Sequence, residues 1–493
     1  MMTLRELLRG VEIVSVDGDL DQLVGYVRDD SRAVEPGDVF IAVPGRTVDG
    51  HGFLDSAAQR GARAAVVERA LPFSGVRVVV RSSARAVGIL AANRFGNPGS
   101  KLTLCGVTGT NGKTTTTHLI EWILAAAGAR VGMIGTVHYR YPGVERAADL
   151  TTPSAIALQQ LLRQMLDAGT THVVMEVSSI ALDQARLAGL FFHVAAFTNL
   201  TQDHLDYHGS MEAYFEAKAL LFSRYLRAGD GVAVAFVDRP PGPRMLEQAA
   251  RRKITCSTWP HGGDVSVESA RLDVGGIEAQ LATPRGPLAV RSPLLAQHNL
   301  ENIVVAVGVA EALGLPHPAV RAGIEALHGV PGRLEPVDLG DDRVALVDYA
   351  HTPDALAHAI AAVRPLARRR LIVVFGCGGD RDRSKRPLMG RIAAEGADLA
   401  IITSDNPRTE DPQSIVDMIA QGARAAGRGW IEIEVDRRQA IRRAVGLAES
   451  GDVVLIAGKG HEDYQILGKT KIHFDDREET RAAAAELRQG KGP

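Results

Sequence analysis

The chain has 493 residues, 45% hydrophobic and 23% charged, with a formal net charge of −2; at roughly one domain per 150 residues this predicts about three domains with sizeable cores. The near-neutral balance excludes a chain-wide electrostatic surface for nucleic acid, and Cys105, Cys256 and Cys377 fit neither a disulfide framework nor a metal-ligand spacing. No apolar run reaches the roughly 18 residues of a membrane-spanning helix, so a reduced cytoplasmic setting and no membrane insertion are expected; a monomer is expected as well.

The first segment, residues 1–97, carries two turn signals, Pro36-Gly37 and Pro44-Gly45, bracketing an alternating strand predicted over Val39–Val43. Polar residues around it fall at loop tips of a small α/β module, and a turn near Asn97-Pro98-Gly99 reads as a linker. Next comes Leu104-Cys-Gly-Val-Thr-Gly-Thr-Asn-Gly-Lys-Thr-Thr-Thr-Thr117. Lys101–Val107 reads as a buried strand, Thr108–Gly112 as a turn of small residues, and Thr114 onward as an amphipathic helix. Loop amides and the positive end of that helix suit a polyphosphate, with Lys113 toward its outer phosphates and Thr114 toward Mg²⁺. Five residues rather than four separate Gly106 from Gly112, so the loop is a variant, and a plain Gly-rich turn is the alternative.

Leu150-Thr-Thr-Pro153 is a polar tip with Thr152 as candidate N-cap and Pro153 at the first helical position. In the strand His172–Val177, Glu176 is a carboxylate in an apolar run and needs a partner, either Mg²⁺ or an arginine such as Arg186. Asp203, His204, Asp206 and His208 crowd into six positions ahead of a helix predicted over Met211–Tyr225, which suits a site better than a solvated loop. Lys218 on that helix reads as a surface lysine on pattern alone. Gln297-His-Asn-Leu opens an apolar helix, with Asn299 a candidate cap, and Val330-Pro-Gly-Arg suits a hinge.

The last segment alternates strands over Val344–Asp348, Leu371–Phe375, Leu399–Thr403 and Val453–Ala457 with helices, the pattern of a mainly parallel sheet. Polar residues gather after strand ends, where open sheets bind ligands. Arg381, Arg383, Lys385 and Arg386 in a glycine-rich loop read as an anion site, a solvated loop being the alternative. Arg364 with Arg368–Arg370 reads as a solvated loop, a phosphate-backbone contact being the alternative.

Gly109-Thr-Asn-Gly-Lys-Thr-Thr-Thr116 resembles the ATP loop of the Mur ligases, which add amino acids to the peptide stem of the cell-wall precursor, and the folate polyglutamate ligases carry a similar loop. The N-terminal module resembles the uridine-diphosphate-binding domain of the tripeptide-forming Mur ligases, which the folate enzymes lack. Asp405-Asn-Pro-Arg408 resembles the tetrad of ligases that add meso-diaminopimelate, whereas lysine-adding relatives usually lack the arginine. The physics agrees, since a guanidinium grips the extra carboxylate with two charge-assisted bonds; an ion pair of Arg408 with Glu410 or Asp411 is the alternative.

The resemblance implies an α/β fold of three domains: a UDP-binding module at 1–97, a central P-loop-type mostly parallel sheet at 98–332, and a Rossmann-like amino-acid-binding domain at 333–493. It implies ATP contacts from Gly109, Thr110, Asn111, Gly112, Lys113, Thr114, Thr115, Asn299, Arg333 and Asp348. It implies contacts to the UDP-muramoyl-dipeptide from Ser31, Arg46, Thr47, Val48, Thr151, Thr152, Ser178, Gln184 and Arg186; Ile180 stands where the family more often has histidine. Diaminopimelate would meet Arg381, Asp405, Asn406, Pro407, Arg408, Gly458 and Glu462. Catalysis would fall to Lys113, Glu176, His204 and Lys218, with two Mg²⁺ held by Thr114, Glu176, His204 and a CO₂-derived carbamate on Lys218. The reaction implied is ATP-dependent amide ligation through an acyl phosphate, with open and closed forms. A lysine-adding homologue, a folate polyglutamate ligase and a nucleotide-dependent switch are the alternatives.

Overall fold

The computed structural model describes residues 2–250 and 252–488, which form two compact units. The first takes the chain up to Ser269 with Gln280–Ala289 and Glu301–Ile324; the second takes Ala270–Ala279, Val290–Leu300 and the chain from Glu325 onward.

The first unit opens with a five-stranded sheet in the order Ile13–Asp17, Val76–Val80, Ala64–Val67, Val39–Ile41, Val27–Arg28. Its first pair is antiparallel and the rest parallel. Val39, Phe40, Ile41 and Ala42 are all buried, which corrects the alternation expected there. The strand lies between two parallel neighbours, and apolar residues cover both its faces.

A larger sheet follows in the same unit. Val131–Ile134, His172–Glu176, Thr103–Thr108, Val194–Phe197, Val232–Phe236 and Arg252–Ser257 lie side by side in that order, all parallel. An antiparallel hairpin, His138–Tyr141 with Val144–Ala147, extends the edge beyond Val131–Ile134. Leu104, Val107, Val173, Met175, Ala195 and Phe197 are buried because crossover helices cover both faces. The register pairs Glu176 with Val107 and Phe197 with Thr108. Glu176 and the loop after Thr108 therefore share one C-terminal sheet edge.

Some predicted boundaries move. Pro98–Lys101 is a 3₁₀ turn and the strand begins at Thr103; the helix predicted to Tyr225 is Met211–Ser223. The helix after the Thr151-Thr152 tip is Ala155–Asp167, preceded by Ser154, so Thr152 is no N-cap and Pro153 lies outside the helix.

The second unit carries a six-stranded sheet in the order Glu335–Gly340, Arg343–Asp348, Val453–Ala457, Leu371–Phe375, Leu399–Ile402, Trp430–Ile433. All pairs after the first are parallel. The two edge strands and the hairpin Tyr464–Leu467 with Thr470–His473 were not among the predicted elements. The basic run is tied down: Arg364 pairs with Asp398, Arg369 with Glu449, Arg368 with Asp342 at 2.8 Å and Arg370 with Asp452 at 2.7 Å. All three cysteines are buried free thiols, and burial pushes Cys105 and Cys377 up to about 12. Among the described residues no helix is long and apolar enough to cross a membrane.

Candidate active site

The glycine loop is held open by its neighbours. Gly109 and Gly112 have φ of 149° and 83°, backbone that side chains rarely adopt. A Cβ on Gly109 would stand 2.0 Å from Thr198 Oγ1, and one on Gly112 2.2 Å from Asn302 Oδ1. The segment after Val194–Phe197 clamps the loop: Thr110 N donates to the Asn199 carbonyl at 2.9 Å, Asn111 N to Asn199 Oδ1 at 3.0 Å, and Thr198 Oγ1 to the Asn111 carbonyl at 2.6 Å. The helix Lys113–Ala126 starts directly from Gly112, with no side-chain cap on its first amides. Those amides and the helix dipole favour an anion. Lys113 Nζ folds back over the loop, donating to the carbonyls of Gly109 at 2.9 Å and Thr110 at 2.8 Å.

Glu176 is fully buried. Its carboxylate accepts from Thr114 Oγ1 at 3.1 Å, Thr136 N at 2.8 Å and Thr136 Oγ1 at 3.0 Å. The arginine alternative does not hold, because Arg186 donates instead to the Thr152 carbonyl at 2.9 Å and to Gln184 Oε1. A hydroxyl and a carboxylate are hard oxygen donors of the kind Mg²⁺ takes, so this pair fits that ion. Among the described residues no group of three or more His, Cys, Asp or Glu is set to hold a metal. An ion here would draw its other ligands from phosphate and water, as Mg²⁺ commonly does.

Lys218 is not a surface lysine. It is 1% exposed, lies 4.4 Å from the Tyr214 ring centroid, and donates from Nζ to the Gly109 carbonyl at 2.8 Å. Burial first, and the Lys113 charge second, hold its amine well below the usual lysine range, with Asp203 opposing them. The Tyr214 hydroxyl lies 3.2 Å from Thr110 Oγ1. His204, at φ 52°, has its ring 6.1 Å from that of Tyr214 and its Nε2 3.5 Å from Asp203. His208 reaches Ser179 Oγ at 3.0 Å. Lys113, Thr114, Glu176 and Lys218 thus surround one loop, and Tyr214 ties the His204 segment to it.

Of the remaining predicted residues of this unit, Thr151, Thr152, Ser178, Gln184 and Arg186 form a second group, which Arg46 meets through Tyr207. Thr151 Oγ1 lies 3.1 Å from Thr136 Oγ1. Thr152 is a buried staple, donating to the Glu176 carbonyl at 2.8 Å and accepting from Ser178 N at 3.1 Å. Ser178 caps the helix Ser179–Asp183. Gln184 Nε2 donates to the Tyr207 hydroxyl at 3.3 Å, and Arg46 donates to the Tyr207 carbonyl at 2.9 Å with its guanidinium 4.4 Å from that ring. Thr47 and Val48 are exposed beside Arg46, while Ser31 is buried at the start of a 3₁₀ turn.

In the second unit, Asp348 accepts from Leu334 N and Ala350 N, both at 2.9 Å, and burial pushes its carboxyl up. The Arg333 guanidinium lies 5.6 Å from the Tyr349 ring centroid. Asn299 sits inside the helix Gln297–Ala312 and donates to the Leu295 carbonyl at 2.7 Å. Arg408, at φ 52°, donates to the Gly379 carbonyl at 2.8 Å and makes no ion pair with Glu410 or Asp411. Glu410 belongs instead to Arg383 at 3.0 Å and to the fully buried Arg386 at 2.8 Å. This corrects the reading of the whole basic loop as an anion site: Arg383 and Arg386 are taken by Glu410, while Arg381 and Lys385 donate to carbonyls, of Asp380 at 3.2 Å and of His351 at 2.8 Å. The loop packs tightly on the tetrad, for a Cβ on Gly379 would stand 1.8 Å from the Pro407 carbonyl oxygen. Asn406 Nδ2 donates to Glu462 Oε2 at 3.0 Å, and Gly458, at φ 126°, lies beside Asp405.

Sequence reasoning missed Thr136, which supplies two of the three donors on Glu176. Its signal was a hydroxyl two residues past the buried strand Val131–Ile134, the same logic that marked Glu176. It also missed the Asn199 clamp and Tyr207.

Three family models match the chain: Mur ligase family, catalytic domain, over residues 24–94; Mur ligase middle domain over 107–310; and Mur ligase, glutamate ligase domain, over 332–460. A protein of Gloeobacter violaceus named UDP-N-acetylmuramoyl-L-alanyl-D-glutamate–2,6-diaminopimelate ligase is 52% identical over 467 residues, covering 93% of each chain. A solved structure of a ligase with that name aligns at TM-score 0.75 and 35% identity over 99% of both chains. A MurF ligase from Thermotoga maritima, in complex with ADP, shares the fold at TM-score 0.59 and 22% identity, covering 95% of this chain and 98% of its own.

Proposed function

The chain belongs to the Mur ligase family, and from that premise we propose that it is an ATP-dependent, ADP-forming ligase joining meso-diaminopimelate to UDP-N-acetylmuramoyl-L-alanyl-D-glutamate. The observation that carries this reading is the convergence of Lys113 and Lys218 on the Gly109 carbonyl beside the buried Thr114–Glu176 pair. The Lys113 ammonium, uncapped amides and hard oxygen ligands at one loop suit transfer of a phosphoryl group from a nucleotide. Arg408, in the same tetrad as the Asn406 that bonds Glu462, suits an amino acid with an additional carboxylate.

A carboxylate does not react with an amine at neutral pH, so the glutamate carboxylate attacks the γ-phosphorus of ATP and ADP leaves. The amine nitrogen then adds to the acyl phosphate carbon, loses a proton, and expels phosphate. Lys113 swings from the Gly109 and Thr110 carbonyls onto the outer phosphates and offsets their charge. The first amides of its helix hold the phosphate chain in line. Thr114 and Glu176 would hold Mg²⁺, with Thr136 fixing the carboxylate; bound there, the ion would supply charge neutralisation for the transferred phosphoryl group. The neutral amine of Lys218 is the form that adds to CO₂, and its carbamate with His204 would supply ligands for a second Mg²⁺. The sugar-peptide portion lies along Thr151, Ser178, Gln184 and Arg186, with the uridine diphosphate toward Ser31 and Arg46–Val48. In the second unit, Asp348, Arg333 and Asn299 are the further candidates for contact with a nucleotide. The domains divide at 97/98 and 332/333, and the protein works as a cytoplasmic monomer.

The test is a substrate matrix: purified protein, ATP and Mg²⁺ with the muramoyl dipeptide or a pterin glutamate, offered each amino acid in turn. Phosphate release that needs both the muramoyl dipeptide and diaminopimelate supports the reading. Release driven by the pterin, by lysine in preference, or without any amino acid contradicts it.

A further inference from the structure

Below the Asp405–Arg408 tetrad lies a lysine to which the reaction just proposed gives no role. Lys459 is 0% exposed. Its Nζ stands 3.4 Å from Asp405 Oδ1, 3.3 Å from Asn406 Oδ1 and 3.5 Å from Glu462 Oε2, with the Tyr464 ring centroid at 5.5 Å. Burying an ammonium is costly unless fixed acceptors surround it, and the three acceptors here belong to three residues of the proposed amino-acid site. Asn406 joins them, donating to Glu462 and accepting from Ile466 N at 3.0 Å. The other buried cation nearby, Arg437, is spent on Asp476 through two bonds of 2.7 Å. Its remaining contacts are the carbonyls of Ala457 at 3.0 Å and Ser404 at 3.4 Å, the residues just before Gly458 and Asp405. Arg437 therefore sets backbone and, paired with Asp476, adds no net charge, although its guanidinium is felt by Asp405 and Glu462.

The charge balance follows. One ammonium, Lys459, faces two carboxylates, Asp405 and Glu462, so the cluster keeps a single negative charge, and the tetrad that Asp405 opens ends on Arg408, held on the Gly379 carbonyl. A site with one net anion and one cation side by side complements the zwitterionic end of an amino acid. Without Lys459 the carboxylates would repel each other, and Asn406 would lose an anchor.

We propose that Lys459 is a positioning and specificity-determining residue: it holds Asp405, Asn406 and Glu462 in one array and sets the net charge that receives an ammonium-bearing ligand end. The proposal rests on the reading of this unit as the amino-acid site. Lys459→Gln keeps N–H donors and removes the charge. It is expected to raise KM for diaminopimelate by about 10–100-fold, with kcat and the KM values for ATP and the dipeptide within about threefold. Adding Glu462→Gln restores a single net charge, so the double variant is expected to lose less than the product of the two single losses. If Lys459→Gln is insoluble, Lys459→Arg replaces it: KM within about threefold of wild type supports the proposal, and a rise above about tenfold with unchanged KM for ATP overturns it. Unchanged KM for diaminopimelate in Lys459→Gln, equal loss toward all substrates, or losses that simply multiply in the double variant also overturn it. Wild-type protein that does not use diaminopimelate overturns the functional reading instead, so the two failures are distinguishable.

Discussion

Lys113 and Lys218 donate to the same carbonyl oxygen, that of Gly109, at 2.9 and 2.8 Å. Two amines from different helices thus meet at the first glycine of the loop. While Lys218 keeps a free amine, Lys113 can leave for a phosphate without emptying that carbonyl. Lys218→Ala is expected to lower turnover by at least about 10²-fold, and added acetate or formate to restore part of it. Phosphate release with and without the acid checks this; full activity in the alanine variant alone would remove Lys218 from the mechanism.

The same lysine makes stability depend on pH. Its folded value lies well below 10.5, while the unfolded chain holds the proton to about 10.4. Between those two values the unfolded state binds more protons, so stability rises with pH across that interval. Below the folded value, wild type carries the full cost of a buried charge. In CO₂-free buffer Lys218→Met is therefore expected to be the more stable protein near neutral pH, with the gap closing toward pH 10.5. Urea midpoints across that range check the sign.

Thr136 supplies two of the three donors on Glu176. Thr136→Val removes the hydroxyl and keeps the backbone amide. Because such outer partners orient a metal-binding carboxylate, the Mg²⁺ concentration for half-maximal activity is expected to rise about 10–100-fold. A Mg²⁺ titration of turnover reads this directly, and an unchanged midpoint would mean Glu176 does not meet the ion.

Local chemistry decided how much was legible. The loop, the carboxylate at the end of His172–Glu176 and the parallel alternation of the second unit all rest on short-range pattern, and the structure keeps them. Lys218 did not, because Ala217, Ala219, Leu221 and Phe222 around it are buried too; a helix apolar on most sides hides which of its faces is wet. Thr152 looked like a cap from Pro153 beside it, and only the neighbouring strand reveals its bond to Glu176. Arg386 looked like a ligand for an anion because Glu410, 24 residues away, is brought to it by tertiary packing.

Arg408 is held across the tetrad by the Gly379 carbonyl and makes no ion pair among the described residues. Arg408→Ala is expected to lower kcat/KM for diaminopimelate by at least about 100-fold, each charge-assisted bond contributing roughly 1.5–3 kcal/mol. ATP binding is expected to change little. Lysine in place of Arg408 should rescue poorly, because a point charge does not reproduce the two-pronged grip. Equal loss of diaminopimelate use and ATP binding would argue for a general structural role.

The central claim is that the glutamate carboxylate is activated by phosphorylation at the loop bounded by Lys113, Glu176 and Lys218. It is tested most directly by labelling that carboxylate with ¹⁸O and analysing the released phosphate by mass spectrometry. The account predicts one labelled oxygen in each phosphate, with ADP as the other product. Unlabelled phosphate alongside a completed amide bond would contradict it.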